Sequence, residues 1–186
     1  MRYLSRCNES SNRLHEHRTS HGGAVAKVIL GALLLLLHAG AVAATLSGKV
    51  VRVSDGDTVT VLDGANKQHR IRLAGIDAPE TRQPYGQASR KNLAFLIAGK
   101  EVTVESQKAD KYGRTVGVVR LDGKDICLEQ VSAGMAWHYK QYAREQKATE
   151  RQSYADTEQN ARVLKVGLWQ DRNPMAPWVY RKPQKQ

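Results

Sequence analysis

The feature that most limits how this chain can fold is an uncharged run of 17 residues, from Val28 to Ala44. Five Lys or Arg residues and two Glu residues precede the run, which ends in the small residues Ala43 and Ala44. A basic head, an apolar stretch and a small-residue exit are typical of a secretory signal peptide. A retained membrane anchor is the alternative, but 17 residues are at the short end for a spanning helix. We therefore predict a signal peptide over residues 1–44, with a long n-region and cleavage near Ala43 or Ala44.

Residues 45–186 are then predicted to form one domain of an exported protein, either periplasmic or secreted. The whole chain has 29 Lys and Arg against 18 Asp and Glu, and a net charge of +11. Without residues 1–44 the counts are 24 and 16, so the domain keeps a net charge of +8. A basic domain suggests a polyanionic partner, either nucleic acid or an anionic membrane surface. Cys127 is its one thiol, which excludes an internal disulfide and a cysteine-rich zinc site.

Short β-rich segments separated by turn sequences dominate the first half of this domain. Strands are predicted at residues 46–53, 58–62, 68–73, 101–105 and 116–121, and helices at residues 86–98, 126–133 and 143–165. Strands in antiparallel hairpins followed by helices fit an α+β fold, a five-stranded OB-type barrel with about three helices packed outside. The proline-containing tail is predicted to be extended and to lie over the domain.

Four short segments stand out along the domain, and each one alone is weak evidence. They are Asp55-Gly56-Asp57-Thr58, the stretch from Arg72 to Thr81, Asp110-Lys111-Tyr112-Gly113-Arg114, and Gly134-Met135-Ala136-Trp137. In this order the four segments resemble the thermonuclease (staphylococcal or micrococcal nuclease-like) family. The resemblance extends from about Gly48 to Trp169, and the tail around Trp178 is similar to that of short bacterial members. It implies an SNase-like barrel and an endonuclease that hydrolyses phosphodiester bonds.

The side chains in these segments suit phosphodiester hydrolysis on chemical grounds, independently of the family resemblance. Asp57 and Asp77 are hard oxygen ligands of the kind that Ca²⁺ prefers, and no His or Cys lies at a spacing that suits zinc. Arg72 and Arg114 carry planar guanidinium groups that can each hold two phosphate oxygens. Glu80 is a third carboxylate, which can orient or deprotonate an attacking water molecule.

The resemblance implies a role for each of these residues. The calcium positions are those of Asp57, Asp77 and the backbone carbonyl of Ala78. The phosphate clamp is Arg72 and Arg114, and the general base is Glu80. The resemblance further implies calcium-dependent, sequence-nonspecific cleavage of DNA and RNA at the 5′ P–O bond, which leaves 3′-phosphate ends.

Further contacts to the substrate are predicted on residues near the catalytic set. Lys111 is a candidate phosphate contact, and Tyr112 and Tyr139, with Tyr142 beside them, are candidates for stacking on a base or sugar. The loop after Glu80 is shorter than in the family's best-studied member.

Two other functions are compatible with a basic barrel. If the chain were a non-catalytic OB-type nucleic-acid-binding module, at least one charged site residue should be lost. All five are present: Asp57, Arg72, Asp77, Glu80 and Arg114. A basic structural protein of the cell envelope explains the leader and the charge, but not the grouped acids and arginines. The preferred interpretation is a nuclease that acts as a monomer on DNA and RNA, without stable membrane association once the leader is removed.

Overall fold

A computed structural model describes residues 45–182, so the predicted signal peptide at residues 1–44 lies outside the described residues. The strands are β1 (Thr45–Val53), β2 (Thr58–Asp63), β3 (Gln68–Leu73), β4 (Ile76–Asp77), β5 (Glu101–Ala109), β6 (Thr115–Leu121), β7 (Lys124–Asp125) and β8 (Trp137–His138). The α-helices are α1 (Gly86–Ile97), α2 (Ile126–Ser132), α3 (Ala148–Val163) and α4 (Pro177–Tyr180), with 3₁₀ helices at Lys140–Glu145 and Gly167–Gln170. No helix within residues 45–182 has both the length and the apolarity of a membrane span.

Within the described residues, five strands close into a barrel. Neighbours in the order β3-β2-β1-β5-β6 are antiparallel, and a parallel pairing of β3 with β6 closes the sheet. In that closing pair, Ile71 is opposite Thr115 and Arg72 is opposite Val116. Strand β7 extends the sheet beside β6, while β4 and β8 form a separate two-stranded ladder. The predicted α+β fold with a five-stranded OB-type barrel is confirmed.

Alternate side chains of the strands form an apolar core, because strand residues two apart face the same side. Fully buried strand residues are Val59, Val61, Ile71, Val104 and Val119. Helix α1 adds Leu93 and Ile97 to this core, and α2 adds Ile126 and Val131. Removal of these aliphatic side chains from water is the main favourable contribution to the stability of the barrel.

Two aspartates close the turns between barrel strands. Asp63 accepts hydrogen bonds at 2.9 Å from two backbone N–H groups of the loop between β2 and β3. Asp110 accepts from the N–H groups of Tyr112 and Arg114 between β5 and β6, also at 2.9 Å. Aspartate favours such turns because its short side chain bonds to the backbone a few residues further on. Both turns lie between segments that the sequence predicts as strands.

The helix predicted over residues 143–165 is confirmed over Ala148–Val163, but its predicted start is wrong, because a separate 3₁₀ helix, Lys140–Glu145, precedes α3. Gln146 separates the two helices with an extended backbone, at ψ 148°. Its buried side chain places Oε1 2.8 Å from Nε2 of His138, so a contact with β8 interrupts the helical segment. Strand β5 is also longer than predicted and reaches Ala109, since its pairing with β6 continues to that residue.

The tail also differs from the extended conformation predicted for it. Pro177–Tyr180 forms the short helix α4, with proline at the first position. Proline favours a helix start because its φ is already helical and its missing N–H has no intrahelical partner there. The segment docks on an aromatic cluster, in which Trp137 meets Trp169 and Trp178 edge-on at centroid distances of 4.5 and 5.4 Å.

Candidate active site

A cleft of about 870 Å³ lies against β3, the loop that follows it and the turn before β6. All nine residues that the sequence predicted for the site line this cleft. They are Asp57, Arg72, Asp77, Ala78, Glu80, Lys111, Tyr112, Arg114 and Tyr139. Barrel closure therefore brings both arginines and the three acidic residues to one place on the surface.

Strand pairing accounts for the placement of the two arginines. Arg72 lies in β3, opposite Thr58 of β2 on one side and Val116 of β6 on the other. Arg114 directly precedes β6. Because β3 and β6 run parallel and their paired segments start together, both arginines come to the same part of the barrel and line the cleft.

Arg72 ties the two predicted calcium carboxylates together. Its Nη1 lies 3.1 Å from Asp57 Oδ2, and its Nη2 donates to Asp77 Oδ1 at 2.9 Å. Nη1 also donates to the backbone carbonyls of Leu73 and Ile76, at 3.0 Å each. Since the donors of a guanidinium group are fixed in direction, these contacts hold the group in one orientation. Both carboxylates therefore lie beside the same positive charge.

The two aspartates are buried, and both carboxylate oxygens of each accept hydrogen bonds. Asp57 Oδ2 accepts from the N–H group of Ala78 at 2.7 Å, and its Oδ1 accepts from Thr58 Oγ1 at 3.1 Å. Asp77 is 0% exposed, and the β4–β8 ladder pairs it with Trp137. A buried charge is tolerated only where hydrogen bonds or opposite charges compensate it. The carboxylate oxygens of Asp57 and Asp77 are therefore held in fixed positions at the cleft.

Two aspartates that line the cleft, Asp55 and Asp77, have raised pKa values. Burial raises the pKa of Asp77, and repulsion from Asp57 raises it further, against the opposing effect of Arg181. Burial and the neighbouring Asp57 raise the pKa of Asp55 to about 6. Within residues 45–182, no three histidine, cysteine or acidic side chains are grouped so that they alone could hold a metal ion. Two crowded, buried carboxylates nevertheless fit Ca²⁺, which also accepts carbonyl and water oxygens in flexible geometry.

Glu80 lies in the loop after β4 and is more exposed than the two aspartates. Its backbone N–H donates to Gln83 Oε1 at 3.1 Å, and its carboxylate accepts from Arg181 Nη1 at 2.8 Å. The loop lies close to the start of α1, because a Cβ atom at Gly86 would be 1.9 Å from the carbonyl oxygen of Glu80. Glycine is therefore required at this position.

Gly86→Ala should destabilise the protein by about 1–3 kcal/mol, because the added methyl group overlaps a backbone oxygen and forces the loop to move. The matched control is Gly64→Ala, where an added Cβ meets nothing within 4 Å. That change should alter stability by less than about 0.5 kcal/mol. Urea denaturation measures both variants, and equal stabilities would contradict the close packing of α1 against the Glu80 loop.

The turn between β5 and β6 forms another side of the cleft. Arg114 Nε donates to Asp110 Oδ2 at 2.7 Å, and its guanidinium carbon lies 5.6 Å from the ring centre of Tyr112. Lys111 Nζ lies 5.0 Å from the same ring centre. Tyr112 is 69% exposed, so most of its surface is available for stacking. Lys111 and Tyr112, both predicted to bind substrate, therefore flank Arg114.

Tyr139 also lines the cleft, but one face of its ring is covered. The ring stacks on Trp178, with centroids 5.6 Å apart and an angle of 20° between the planes. It meets Tyr142 edge-on at 5.0 Å, and its hydroxyl group donates to Gln141 Oε1 at 2.9 Å. Any contact of Tyr139 with substrate would have to use its edge or its other face.

Three basic residues that line the cleft are missing from the sequence-based prediction: Arg70, Lys108 and Arg181. Arg70 has a local signal, since it lies two positions before Arg72 in β3 and thus faces the same side. Lys108 belongs to the part of β5 that the prediction left out. Arg181 has no signal in its local sequence, because it reaches the acidic residues only through the docking of α4.

Known proteins resemble this chain over most of the described residues. Residues 70–171 match the family described as "Staphylococcal nuclease homologue". An uncharacterized endonuclease of Haemophilus influenzae is 42% identical over 137 residues, which cover 74% of this chain and 74% of that protein. A micrococcal nuclease of Shigella flexneri is 40% identical over 172 residues, which cover 87% of this chain and 95% of that protein.

The matched range contains most of the segments that line the cleft, although Asp57 and Arg181 lie outside it. It includes Arg72 on β3, the acidic loop with Asp77 and Glu80, and the turn with Arg114. The two bacterial relatives are also matched over most of their own length. On this agreement of fold, cleft and sequence, the chain is a nuclease, a hydrolase that belongs to the staphylococcal nuclease homologue family.

Proposed function

We propose that this nuclease cuts both DNA and RNA without sequence preference, requires calcium and leaves 3′-phosphate ends. The observation that carries the proposal is a cleft in which Arg72 pairs with both Asp57 and Asp77. Glu80 and Arg114 line the same cleft. Phosphodiester hydrolysis needs such a combination, because negative charge builds up around phosphorus while a water molecule attacks in line with the leaving oxygen.

Arg72 and Arg114 are the proposed phosphate clamp. Their guanidinium groups are permanently charged and present N–H donors in a fork that matches two oxygens of one phosphate. Arg72 is held by two backbone carbonyls as well as by carboxylates, so it needs little reorganisation when charge develops on the phosphate. Arg114 reaches the cleft from the turn before β6. A phosphate between the two residues would meet two preorganised positive groups.

Glu80 is the proposed residue that acts on the attacking water. Its side chain is 40% exposed, so water reaches the carboxylate. A carboxylate at hydrogen-bond distance from water can orient the molecule or remove its proton. Attack at phosphorus then breaks the bond to the 5′ oxygen, so one product carries a 5′-hydroxyl group and the other a 3′-phosphate.

Asp57, Asp77 and the backbone carbonyl of Ala78 are the proposed calcium ligands. The two carboxylates are buried beside one another, and their oxygens are the hard donors that a calcium ion would take. When bound, Ca²⁺ supplies positive charge beside a phosphate oxygen and lowers the pKa of a bound water. Oxygen donors of this kind suit calcium better than zinc, which prefers histidine and cysteine.

Basic and aromatic residues around the proposed clamp suit a nucleic-acid strand. Arg70 and Lys111 add positive charge along the cleft, and Tyr112 offers an exposed ring, whereas Lys108 is paired there with Glu145 at 2.6 Å. Phosphate contacts carry no sequence information, and stacking is possible with every base. These contacts also do not depend on the 2′-hydroxyl group that distinguishes RNA from DNA. We therefore expect both nucleic acids to be substrates.

We also propose export of the enzyme, on the basis of its sequence. Residues 1–44 have the pattern of a signal peptide, and cleavage near Ala43 or Ala44 would release the nuclease domain, residues 45–186. The released domain would act in the periplasm or the medium, as a monomer without stable membrane association.

The purified enzyme should degrade single-stranded DNA, double-stranded DNA and RNA in CaCl₂, and excess EGTA should slow the reaction by about 10³-fold or more. Restoring free Ca²⁺ should restore the rate, because the proposed ligands are intact without the ion. Full activity in EGTA would remove the calcium assignment. Binding of DNA without cleavage, with or without calcium, would favour the non-catalytic module instead.

The products of the same reaction identify the bond that breaks. If the 5′ P–O bond is cut, polynucleotide kinase should label the new 5′ ends without prior phosphatase treatment, because these ends are hydroxyl groups. Products that need phosphatase before labelling would show that the other P–O bond had been cut.

A further inference from the structure

The guanidinium group of Arg181 lies in the cleft beside Asp77 and Glu80. Nη1 donates to Asp77 Oδ1 at 3.1 Å, and Nη2 donates to Asp77 Oδ2 at 2.7 Å. Nη1 also donates to Glu80 Oε1 at 2.8 Å. The two bonds to Asp77 form a bidentate pair, which sets the direction of the planar group as well as its distance. Arg181 therefore joins a buried carboxylate to an exposed one.

The segment around Arg181 is anchored on the domain. Trp178 stacks on Tyr139 and meets Trp137 edge-on, with centroid distances of 5.6 and 5.4 Å. Pro177 at the start of α4 is buried. Trp178 and Arg181 are three residues apart, a spacing that places both on the same face of a helix. Docking of the tryptophan thus delivers the guanidinium group to the cleft.

A second contact couples this tail to the Glu80 loop. Gln83 Nε2 donates to the carbonyl oxygen of Met175 at 2.6 Å, and Gln83 Oε1 accepts from the N–H group of Glu80 at 3.1 Å. One side chain therefore bridges the segment before α4 and the backbone of Glu80. The tail and the Glu80 loop are held together through both this glutamine and Arg181.

Glu80 needs an external constraint because its side chain is 40% exposed, whereas that of Asp77 is 1% exposed. An exposed glutamate exchanges among several rotamers, and only some of them direct the carboxylate toward an attacking water molecule. A bridge to a buried, fixed aspartate restricts the carboxylate to one region of the cleft. Such restriction raises the fraction of encounters in which the water is correctly placed.

We propose that Arg181 is a positioning residue, which holds the Glu80 carboxylate in its working orientation by tying it to Asp77. The inference rests on the proposed function, in which Glu80 acts on the attacking water. The C-terminal segment then completes the active site, and Arg181 contributes to turnover through Glu80 rather than through substrate binding.

Competition with a cation is the other role that this geometry allows, since Arg181 occupies both oxygens of Asp77. Removal of the guanidinium group would then tighten calcium binding, whereas removal of a positioning residue slows turnover. Isothermal titration calorimetry with CaCl₂, in the absence of nucleic acid, separates the two roles without an activity assay.

The test is a double-mutant cycle of Arg181→Gln and Glu80→Gln, with kcat and KM measured on single-stranded DNA in saturating calcium. Arg181→Gln should lower kcat by about 10–100-fold and change KM by less than about threefold. In the Glu80→Gln background the same change should lower kcat by less than about twofold, because residues that act as a unit are not additive.

Two further variants separate the effect of the bidentate geometry from that of the positive charge alone. Arg181→Lys should recover part of kcat, because an ammonium group keeps the charge but cannot form the bidentate pair. Lys182→Gln removes the same charge from the next residue, which is exposed, and should leave kcat unchanged. Melting temperatures of all variants identify any that are unfolded. If Arg181→Gln does not fold, the double-mutant cycle is measured with Arg181→Lys and Glu80→Gln instead.

Three results would overturn the positioning role: an unchanged kcat in Arg181→Gln, multiplicative losses in the double variant, or tighter calcium binding by Arg181→Gln. Failure of the proposed function gives a different result. In that case Glu80→Gln alone would keep full activity, or the unmodified enzyme would work without calcium.

Discussion

Arg72→Ala should lower kcat by about 10³-fold or more and the free energy of unfolding by about 3–5 kcal/mol. Turnover falls because the variant loses one arm of the proposed clamp, at the place where negative charge develops on the phosphate. Stability falls because Arg72 lies 3.1 Å from Asp57 and 2.9 Å from Asp77, both buried. Loss of Arg72 removes the guanidinium group beside Asp57, while Asp77 keeps its pair with Arg181. Removal of one partner from buried charges is costly even where hydrogen bonds remain.

Steady-state kinetics in saturating calcium and urea denaturation measure these two effects separately. Arg72→Lys should regain much of the stability but little of kcat, since an ammonium group supplies charge without a fork of directed donors. Arg52→Ala is the matched control, because Arg52 is an exposed arginine of β1 and is not among the residues that line the cleft. An Arg72→Ala enzyme within about threefold of the unmodified kcat would refute the clamp.

Arg114→Ala should lower kcat by about 10²–10³-fold but change the free energy of unfolding by less than about 1 kcal/mol. The ion pair of Arg114 with Asp110 lies at partly exposed positions, where such pairs contribute little to stability. Asp110 also keeps its hydrogen bonds to the backbone N–H groups of the turn when the Arg114 side chain is removed. Activity and stability should therefore separate in this variant, in contrast to Arg72→Ala.

Arg120→Ala provides the matched control for Arg114. Arg120 pairs with Glu105 at 2.6 Å, on strands next to the turn, and is not one of the cleft residues. The control therefore loses a guanidinium group and an ion pair without altering the proposed clamp, and it should keep kcat. Equal losses of kcat in both variants would point to a general effect of charge or stability, and the role assigned to Arg114 would be withdrawn.

The barrel was predictable from the sequence because its strands and turns depend on residues that are close together in the chain. Apolar residues alternate along β2 and β3, as in Val59 and Val61, and this period of two marks the face that becomes buried. Asp63 and Asp110 close the turns with their own side chains, so each turn depends on a few consecutive residues. Strands joined by such turns pair as antiparallel neighbours, which leaves few arrangements for the whole sheet.

The candidate site was predictable in composition but not in its contacts. The residue types indicated oxygen ligands, two phosphate-binding arginines and a carboxylate for water, and the fold collects them at one cleft. The sequence did not show that Arg72 bridges Asp57 and Asp77, because this depends on the pairing of β3 with β2 and β6. It also did not show that Trp178 covers one face of Tyr139.

Short segments of the sequence specify the barrel strands, the turns between them and the residue types of the candidate site, because these features follow from local side-chain types and spacings. Long-range packing determines that Gln146 interrupts the predicted helix and that Arg181 enters the cleft. The first outcome depends on a buried contact with His138, and the second on the docking of Trp178 against aromatic rings. Contacts of this kind join residues far apart in the chain, so they exist only after the barrel has closed and no local pattern encodes them.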